Sequence, residues 1–246
     1  MSRFRSFLFP NALLDAQLVT LDARESHHLV RVLRAKVGDS VEVLDGKGSC
    51  YFGYIAQSDV RAVKIKIESV KRSLRRIPKV TLVQSIPKGK TMDLILRMAT
   101  EIGAAQIQPV FTAQGEVYIQ GKRLLSKVNK WKVTMIEACK QCGLGYLPEL
   151  LEPASIEDWL SANPSTEGTL RLVASLETSS RSLQDTLAHV QSVAEVIIAV
   201  GPEGDFTDSE YRALEGSEFQ PVRLGENVLR SETAAVYLLS VLDQCL

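Results

Sequence analysis

Apolar residues along this chain follow two different rhythms. Over roughly the first seventy residues they alternate with polar ones. In AVKIKIESV (Ala62–Val70), Val63, Ile65 and Ile67 fall on one side and Lys64, Lys66 and Glu68 on the other, the period-two mark of a half-buried strand. SVEVLDGKGSCYFGYIAQ reads as two strands joined by a turn at Asp45-Gly46-Lys47-Gly48. ESHHLVRVLRAKVGD, ahead of them, predicts a short helix ending near Gly38. Short strands at such close spacing predict a small β-barrel. KRSLRRIPK (Lys71–Lys79) then reads as a charged linker.

From Lys79 the apolar runs become nearly continuous and alternate with helical periods. KVTLVQSI, AQIQPVF, TLRLVASL, AEVIIAVG and QPVRLG predict strands. Between and after them, TMDLILRMATEIGA predicts a helix closed by Gly103, and Lys122 to Cys142 a long helix. A weaker helix around Arg181–Val190, one from Asp208, and a last one in SETAAVYLLSVLDQCL complete the series. Strands without alternation, interleaved with helices, are the pattern of a mostly parallel sheet covered on both faces. The expected fold class is therefore α/β, with a β-rich domain over residues 1–73 and an α/β domain over 74–246.

Charge sharpens this division. The chain of 246 residues has no net formal charge, yet residues 1–78 hold 14 Lys and Arg against 8 Asp and Glu, leaving the rest with 15 against 21. A basic first part suggests that polyanion binding is concentrated there. No apolar run is long enough to span a bilayer, and MSRFRSFLFP is too short in its apolar part for a signal peptide, so a cytoplasmic location is expected. Of the four cysteines, only Cys139 and Cys142 form a C-x-x-C, at the end of a helix and without a second ligand pair; they read as reduced structural thiols. Three histidines, two of them the adjacent His27 and His28, offer no metal set, and none is expected.

Three loops carry candidate chemistry. SIPKGKT (Ser85–Thr91) ends like a nucleotide-binding loop, but Gln84 stands where the first glycine belongs and Pro87 removes a backbone donor. This argues against a nucleoside triphosphate and leaves either contact with RNA phosphate or a solvated turn. VGPEGDF (Val200–Phe206) follows an apolar strand, where ligands gather in open α/β sheets. Gly201 and Gly204 allow close approach, while the Glu203 carboxylate would repel a phosphate and suit a cationic or donor-bearing ligand. Thr207 or Asp208 would cap the next helix. RLGENVLRSETAAV places Arg230 just before a helix for which Ser231 is the expected N-cap; a cation there calls for a nearby anion.

Taken together, RFRSF, HHLVRVLRAKVGD, KGKTMDLILRMATEIGA, EACKQCG with LPEL, VGPEGDF and LGENVLRSETAAV resemble the ribosomal small-subunit methyltransferase E family. That family belongs to the SPOUT class and methylates N3 of a uridine in small-subunit (16S) ribosomal RNA. The resemblance covers nearly the whole chain. It implies a PUA-like RNA-binding barrel followed by a domain with a deep trefoil knot, a topology otherwise rare. It also implies a homodimer and S-adenosylmethionine as cofactor, with no metal. Leu176, Val200, Gly201, Glu203, Gly204, Leu224, Gly225, Val228, Leu229, Thr233 and Ala234 would hold the cofactor. Arg3, Arg5, His28, Arg31, Arg34, Lys88 and Lys90 would contact RNA. The chain departs from the family's usual pattern at Leu144–Tyr146, at Asp205 (commonly glycine) and at Asn227 (commonly arginine).

Uracil N3 is a poor nucleophile until its proton leaves. The implied reaction needs a group to take that proton, a partner for the resulting anion, and alignment with a methyl donor. Arg230 is expected as the anion's partner, with Glu232 or Glu203 as base or orienter. The rival readings are a SPOUT ribose 2′-O-methyltransferase and a non-catalytic RNA-binding assembly factor.

Overall fold

The computed structural model describes residues 4–9, 13–15, 17–115, 119–177, 180–190 and 192–246. The chain divides into two compact units: Met1–Arg75 with Ile136–Leu147, and Arg76–Met135 with Pro148–Leu246.

In the first unit, strands β1 (Phe4–Phe7), β2 (Leu13–Asp15), β3 (Leu18–Thr20), β4 (Ser40–Leu44), β5 (Ser49–Gln57) and β6 (Lys64–Arg72) form one sheet, ordered β1-β4-β5-β6-β3-β2. Neighbours are antiparallel except β1 and β4, which run parallel with Phe4 opposite Val41. The Asp45–Gly48 turn folds β4 onto β5 as expected; the Asp45 carboxylate accepts the Lys47 and Ser49 amides at 2.7 and 2.8 Å. At Gly53, beside a register shift between β5 and β6, an added Cβ would lie 2.0 Å from the Lys66 carbonyl oxygen, so no side chain fits. Val19, Val41, Val43, Ile55, Val63 and Ile65 are fully buried and form the core with Leu21 and Leu29.

The helix expected up to Gly38 is shorter. Helix α1 (Ala23–His27) is capped by Asp22, whose carboxylate accepts the Glu25 amide at 2.9 Å, and runs into a π-helical turn at His28–Val32. Beyond it the Ala35 amide returns to the Leu29 carbonyl, and Arg34 takes a left-handed conformation with φ 56°, which ends the helix four residues before Gly38.

Ile136–Leu147 completes this unit. Ile136 is buried with Phe7 and Leu44, and Leu147 and Phe9 pack beside them. A buried ionic cluster lies alongside. Glu25, 1% exposed, accepts from Ser6 Oγ (2.6 Å), the Phe7 amide (3.0 Å) and Lys140 Nζ (2.9 Å), and Lys140 is itself only 6% exposed.

The second unit contains β7 (Lys79–Ser85), α2 (Thr91–Ile102), β8 (Gln106–Phe111) and the first turns of α3 (Gly121–Cys142), whose end from Ile136 lies in the first unit. It continues with β9 (Glu149–Leu150), β10 (Ala154–Ser155), α4 (Ile156–Ala162), β11 (Thr169–Ala174), β12 (Arg181–Ser182) and α5 (Leu183–Leu187). Last come β13 (Glu195–Val200), α6 (Asp208–Gly216), β14 (Gln220–Arg223) and α7 (Ser231–Cys245). The eight strands pair in parallel, in the order β10-β8-β7-β13-β11-β14-β12 with β9 beside β8.

Both faces of this sheet are covered, as the unbroken apolar runs predict. Val83, Val110, Val173, Ile197 and Ala199 pack under Ile156, Trp159 and Leu160 of α4 and Leu214 of α6. On other positions of the same strands, Leu82, Val196 and Ile198 are equally inaccessible, and α7 packs on β7, β13 and α2. Gly103 closes α2 with φ 100°, and the expected capping of α6 is a full capping box between Thr207 and Glu210. Ser231, expected as the N-cap of α7, is instead its first residue; Arg230 takes the cap position without a side-chain bond.

Candidate active site

Parallel pairing sends the ends of β11, β13 and β14 to one edge of the second unit's sheet. The loops after them, residues 174–176, 200–205 and 223–231, enclose a cavity of about 420 Å³. Its walls are largely apolar: Leu176, Val200, Leu224, Val228, Leu229 and Ala234 line it. Five charged side chains join them, Glu203, Asp205, Arg223, Glu226 and Arg230. Of the residues expected to bind a ligand here, Leu176, Val200, Gly201, Glu203, Leu224, Gly225, Val228, Leu229 and Ala234 all meet at the cavity, with Arg230 beside them. Gly204, Glu232 and Thr233 do not line it.

The loops are held by a few polar contacts. Buried Ser231 donates its hydroxyl to the Gly201 carbonyl at 2.7 Å and accepts from Gln84 Nε2 at 2.9 Å, tying the start of α7 to β7 and to the end of β13. This tertiary demand explains why Ser231 is not the cap. Gly204 faces the Gln114 side chain, where an added Cβ would lie 2.4 Å from Gln114 Oε1, and Glu210 accepts the Ala113 amide at 2.7 Å. The 112–115 loop after β8 therefore backs the 201–205 loop.

Asp205 is a wall residue that the ligand-binding expectations did not include. It adopts φ 64°, in the left-handed region where glycine is easiest. Its carboxylate accepts the Tyr211 hydroxyl at 2.9 and 3.0 Å and the Phe206 amide at 2.8 Å. Burial pushes the Asp205 carboxyl above the ordinary carboxylate value despite these donors, and burial together with the Asp205 charge raises the Tyr211 phenol. The sequence signal was available: a carboxylate next to Gly204 in a turn-forming loop, with a tyrosine six residues on, within one strand–loop–helix unit.

The lining also tests which ligand fits. Three carboxylates against two guanidiniums, with no lysine, suit a ligand bearing sulfonium and ammonium charges better than a phosphate. The apolar majority suits a purine and a thioether chain. At Gly225 an added Cβ would meet nothing within 4 Å, so the loop leaves open room. These residues fit S-adenosylmethionine.

The expected RNA contacts divide. Arg3 lies outside the described residues. Arg5 is engaged within its own unit: Nε donates to Glu42 at 2.6 Å, and one terminal nitrogen donates to the Lys140 and Gln141 carbonyls at the end of α3. His28 is half-buried, its Nδ1 3.4 Å from Lys140 Nζ. Arg31 and Arg34 are exposed on the π-turn and just after it, and Lys88 and Lys90 on the loop after β7. Among the described residues, Glu25, His28 and Glu137 bring potential metal ligands within 4.8 Å of one another. The Lys140 ammonium reaches Glu25 and Glu137 at 2.9 Å each, so a cation of the protein's own already serves that group.

Comparison with known proteins agrees with this architecture. Residues 75–243 match an RNA methyltransferase domain and residues 21–68 an RNA methyltransferase PUA domain. The two matches, in this order, define an RNA methyltransferase with an N-terminal PUA-type domain. A curated relative from Synechocystis, ribosomal RNA small subunit methyltransferase E, is 30% identical over 99% of this chain and 78% of its own length. The protein of that name from Aquifex aeolicus is 31% identical over 92% of this chain and 93% of its own. A Legionella pneumophila structure with the cofactor SAM bound aligns at 31% identity and TM-score 0.86 over 98% of this chain and 96% of that one. A Neisseria gonorrhoeae ribosomal RNA small subunit methyltransferase E with bound S-adenosyl methionine aligns at 25% identity and TM-score 0.85, covering 97% and 96%. The chain belongs to the ribosomal RNA small subunit methyltransferase E family.

Proposed function

We propose that this protein is an S-adenosylmethionine-dependent methyltransferase that modifies N3 of a uridine in 16S ribosomal RNA, working as a homodimer. One observation carries the reading most: three loops at the ends of parallel strands enclose an apolar, acid-rimmed cavity with Arg230 at its edge. The bound cofactor would supply an electrophilic methyl group on a sulfonium. Leu176, Val200, Leu224, Val228 and Leu229 would shield its apolar body from water, and the Gly201 and Gly225 backbones would admit it closely. The trefoil knot of the family goes with this reading.

The chain's own groups supply the rest. Arg230 is exposed at the start of α7, on the cavity rim, where its guanidinium can hold the negative charge that develops on uracil O2, N3 and O4 as the N3 proton leaves. Glu203, exposed on the same rim, is the better placed acceptor for that proton; half-buried Glu232, off the cavity, serves as orienter of Arg230. The base must be unstacked to offer this edge.

The test is transfer of labelled methyl from S-adenosylmethionine to small ribosomal subunits lacking the modification, followed by nucleoside mapping. N3-methyluridine is expected; a ribose-methylated nucleoside would move the chain to 2′-O chemistry, and no transfer at all would favour an assembly factor. Arg230→Ala should reduce turnover by at least about 100-fold while leaving cofactor affinity within about threefold.

A further inference from the structure

Outside the cavity, the start of α3 in the second unit is strongly charged and has no part in the chemistry of Arg230 and Glu203. Gly121–Lys132, the first three turns of α3, holds five cations (Lys122, Arg123, Lys127, Lys130 and Lys132) and no carboxylate. Cations at a helix start oppose the helix dipole, and like charges at helical spacing repel one another. An isolated helix gains nothing from this arrangement. An anionic partner reverses the sign of both terms.

Spacing sorts these residues. Val128, Trp131 and Met135 are the buried side of this part of α3. Arg123, Lys127 and Lys130, at i, i+4 and i+7, form one stripe on its flank, about 10 Å long. Arg123 and Lys130 are exposed, and Lys127 is half-buried with its ammonium 5.4 Å from the Trp131 ring. Lys132 projects from another face, more than a quarter turn away.

The stripe has a neighbour. Burial lowers the Lys127 pKa, with Asp93 opposing and Lys130 adding to the shift, so Lys127 lies near the first turn of α2. Just ahead of that turn is the exposed Lys88-Gly89-Lys90 loop. That loop leaves β7 beside the cavity loop leaving β13, since Val200 pairs with Gln84. The Lys88–Lys90 loop leads toward the cavity edge, and Asp93, three residues beyond Lys90, is the carboxylate felt at Lys127 of the stripe.

We infer that Arg123, Lys127 and Lys130 on α3 form, with the Lys88–Lys90 loop, a track for the phosphate backbone of the substrate RNA within the methyltransferase unit itself, separate from the PUA-type unit. The inference rests on the RNA reading proposed above. Among the described residues, Asp93 is the carboxylate that acts on Lys127, and it limits the attraction there without cancelling three cations.

The experiment measures binding of a small-subunit ribosomal RNA fragment by the full-length protein between 50 and 200 mM salt, together with methyl transfer at varied RNA. The variants are Arg123→Gln/Lys127→Gln/Lys130→Gln, the exposed pair Arg123→Gln/Lys130→Gln, and Lys132→Gln. The triple variant should flatten the slope of log affinity against log salt by about 2–3, the pair by about 1.5–2, and Lys132→Gln by well under 1. The triple variant should raise KM for RNA at least tenfold, with kcat and cofactor affinity within twofold. An unchanged slope in the exposed pair, or a loss in Lys132→Gln equal to that of the triple variant, would overturn the track. Wild-type protein that binds RNA with these slopes yet transfers no methyl would instead remove the enzymatic reading and leave the track standing. Wild-type protein that binds no RNA overturns both.

Discussion

Single side chains in this protein do work that their positions along the chain hardly announce. Asp205 holds a left-handed turn and two donors on the cavity wall, with its carboxyl raised by burial. Its folded value stands above its unfolded one, so the native state binds more protons between the two. Stability must therefore fall as pH rises through that window, and the burden persists above it. Asp205→Asn keeps one acceptor oxygen, Oδ1, for Tyr211 and Phe206 and tolerates the turn. It should flatten the dependence of chemical-denaturation stability on pH in the mildly acidic range. The cysteines offer a second residue-scale test. Burial pushes Cys139 up to about 12, and Cys50, with Glu42 adding to burial, up to about 11. Cys142 and Cys245 are exposed. Iodoacetamide at pH 8 under native conditions should label Cys142 and Cys245 first and spare Cys139 until unfolding, as mass spectrometry of digests would report.

Elements are where the sequence was most legible and where its legibility stopped. Gly103, the Thr207–Glu210 box and the unbroken apolar runs of β7, β11 and β13 are local signals, and each produced the element it announced. Thr207→Ala removes the hydroxyl arm of that box and should destabilise the protein by about 0.5–2 kcal/mol, seen as a lower thermal midpoint. What escaped was set by distant partners. β1 finds its place only through parallel pairing with β4, some thirty-seven residues on, and no local pattern encodes that. The π-turn at His28–Val32 keeps helical composition while its bonding changes. Ser231 has the chemistry of a cap, yet Gly201 and Gln84 claim its hydroxyl. The same holds for the candidate site. Its glycine loops stood out in sequence because small residues and turn formers cluster there. The α3 stripe did not, because helix periodicity hides charge among ordinary surface positions. Lys140 shows what a distant partner is worth. Lys140→Met would leave Glu25 buried without its cation and should cost about 3–5 kcal/mol, whereas Lys132→Met, on the exposed surface, should cost less than about 0.5 kcal/mol.

At the scale of the molecule, the first unit is assembled from two stretches of chain separated by sixty residues of the second. Phe7 and Leu44 bury themselves with Ile136, Arg5 reaches the carbonyls of Lys140 and Gln141, and Glu25 meets Lys140. A fragment of residues 1–75 lacks all of these partners. It should give a poorly dispersed amide NMR spectrum, while the same fragment supplied with a peptide of residues 130–148 should gain dispersion. Recovery by the fragment alone would show that the second stretch is dispensable to the first.

That discontinuity also has a timetable. A nascent chain leaving the ribosome carries all six strands of the first sheet long before residue 147 has been made. At about 5–20 residues per second, the delay lasts several seconds. During that interval Glu25 has no ammonium to meet and Phe7 has no lid. Synthesis of the helix that supplies both passes first through sixty residues of the second unit, so the earliest-made strands wait unfinished while foreign chain is added, and the second unit, with strands and helices still to come after residue 147, is completed later still.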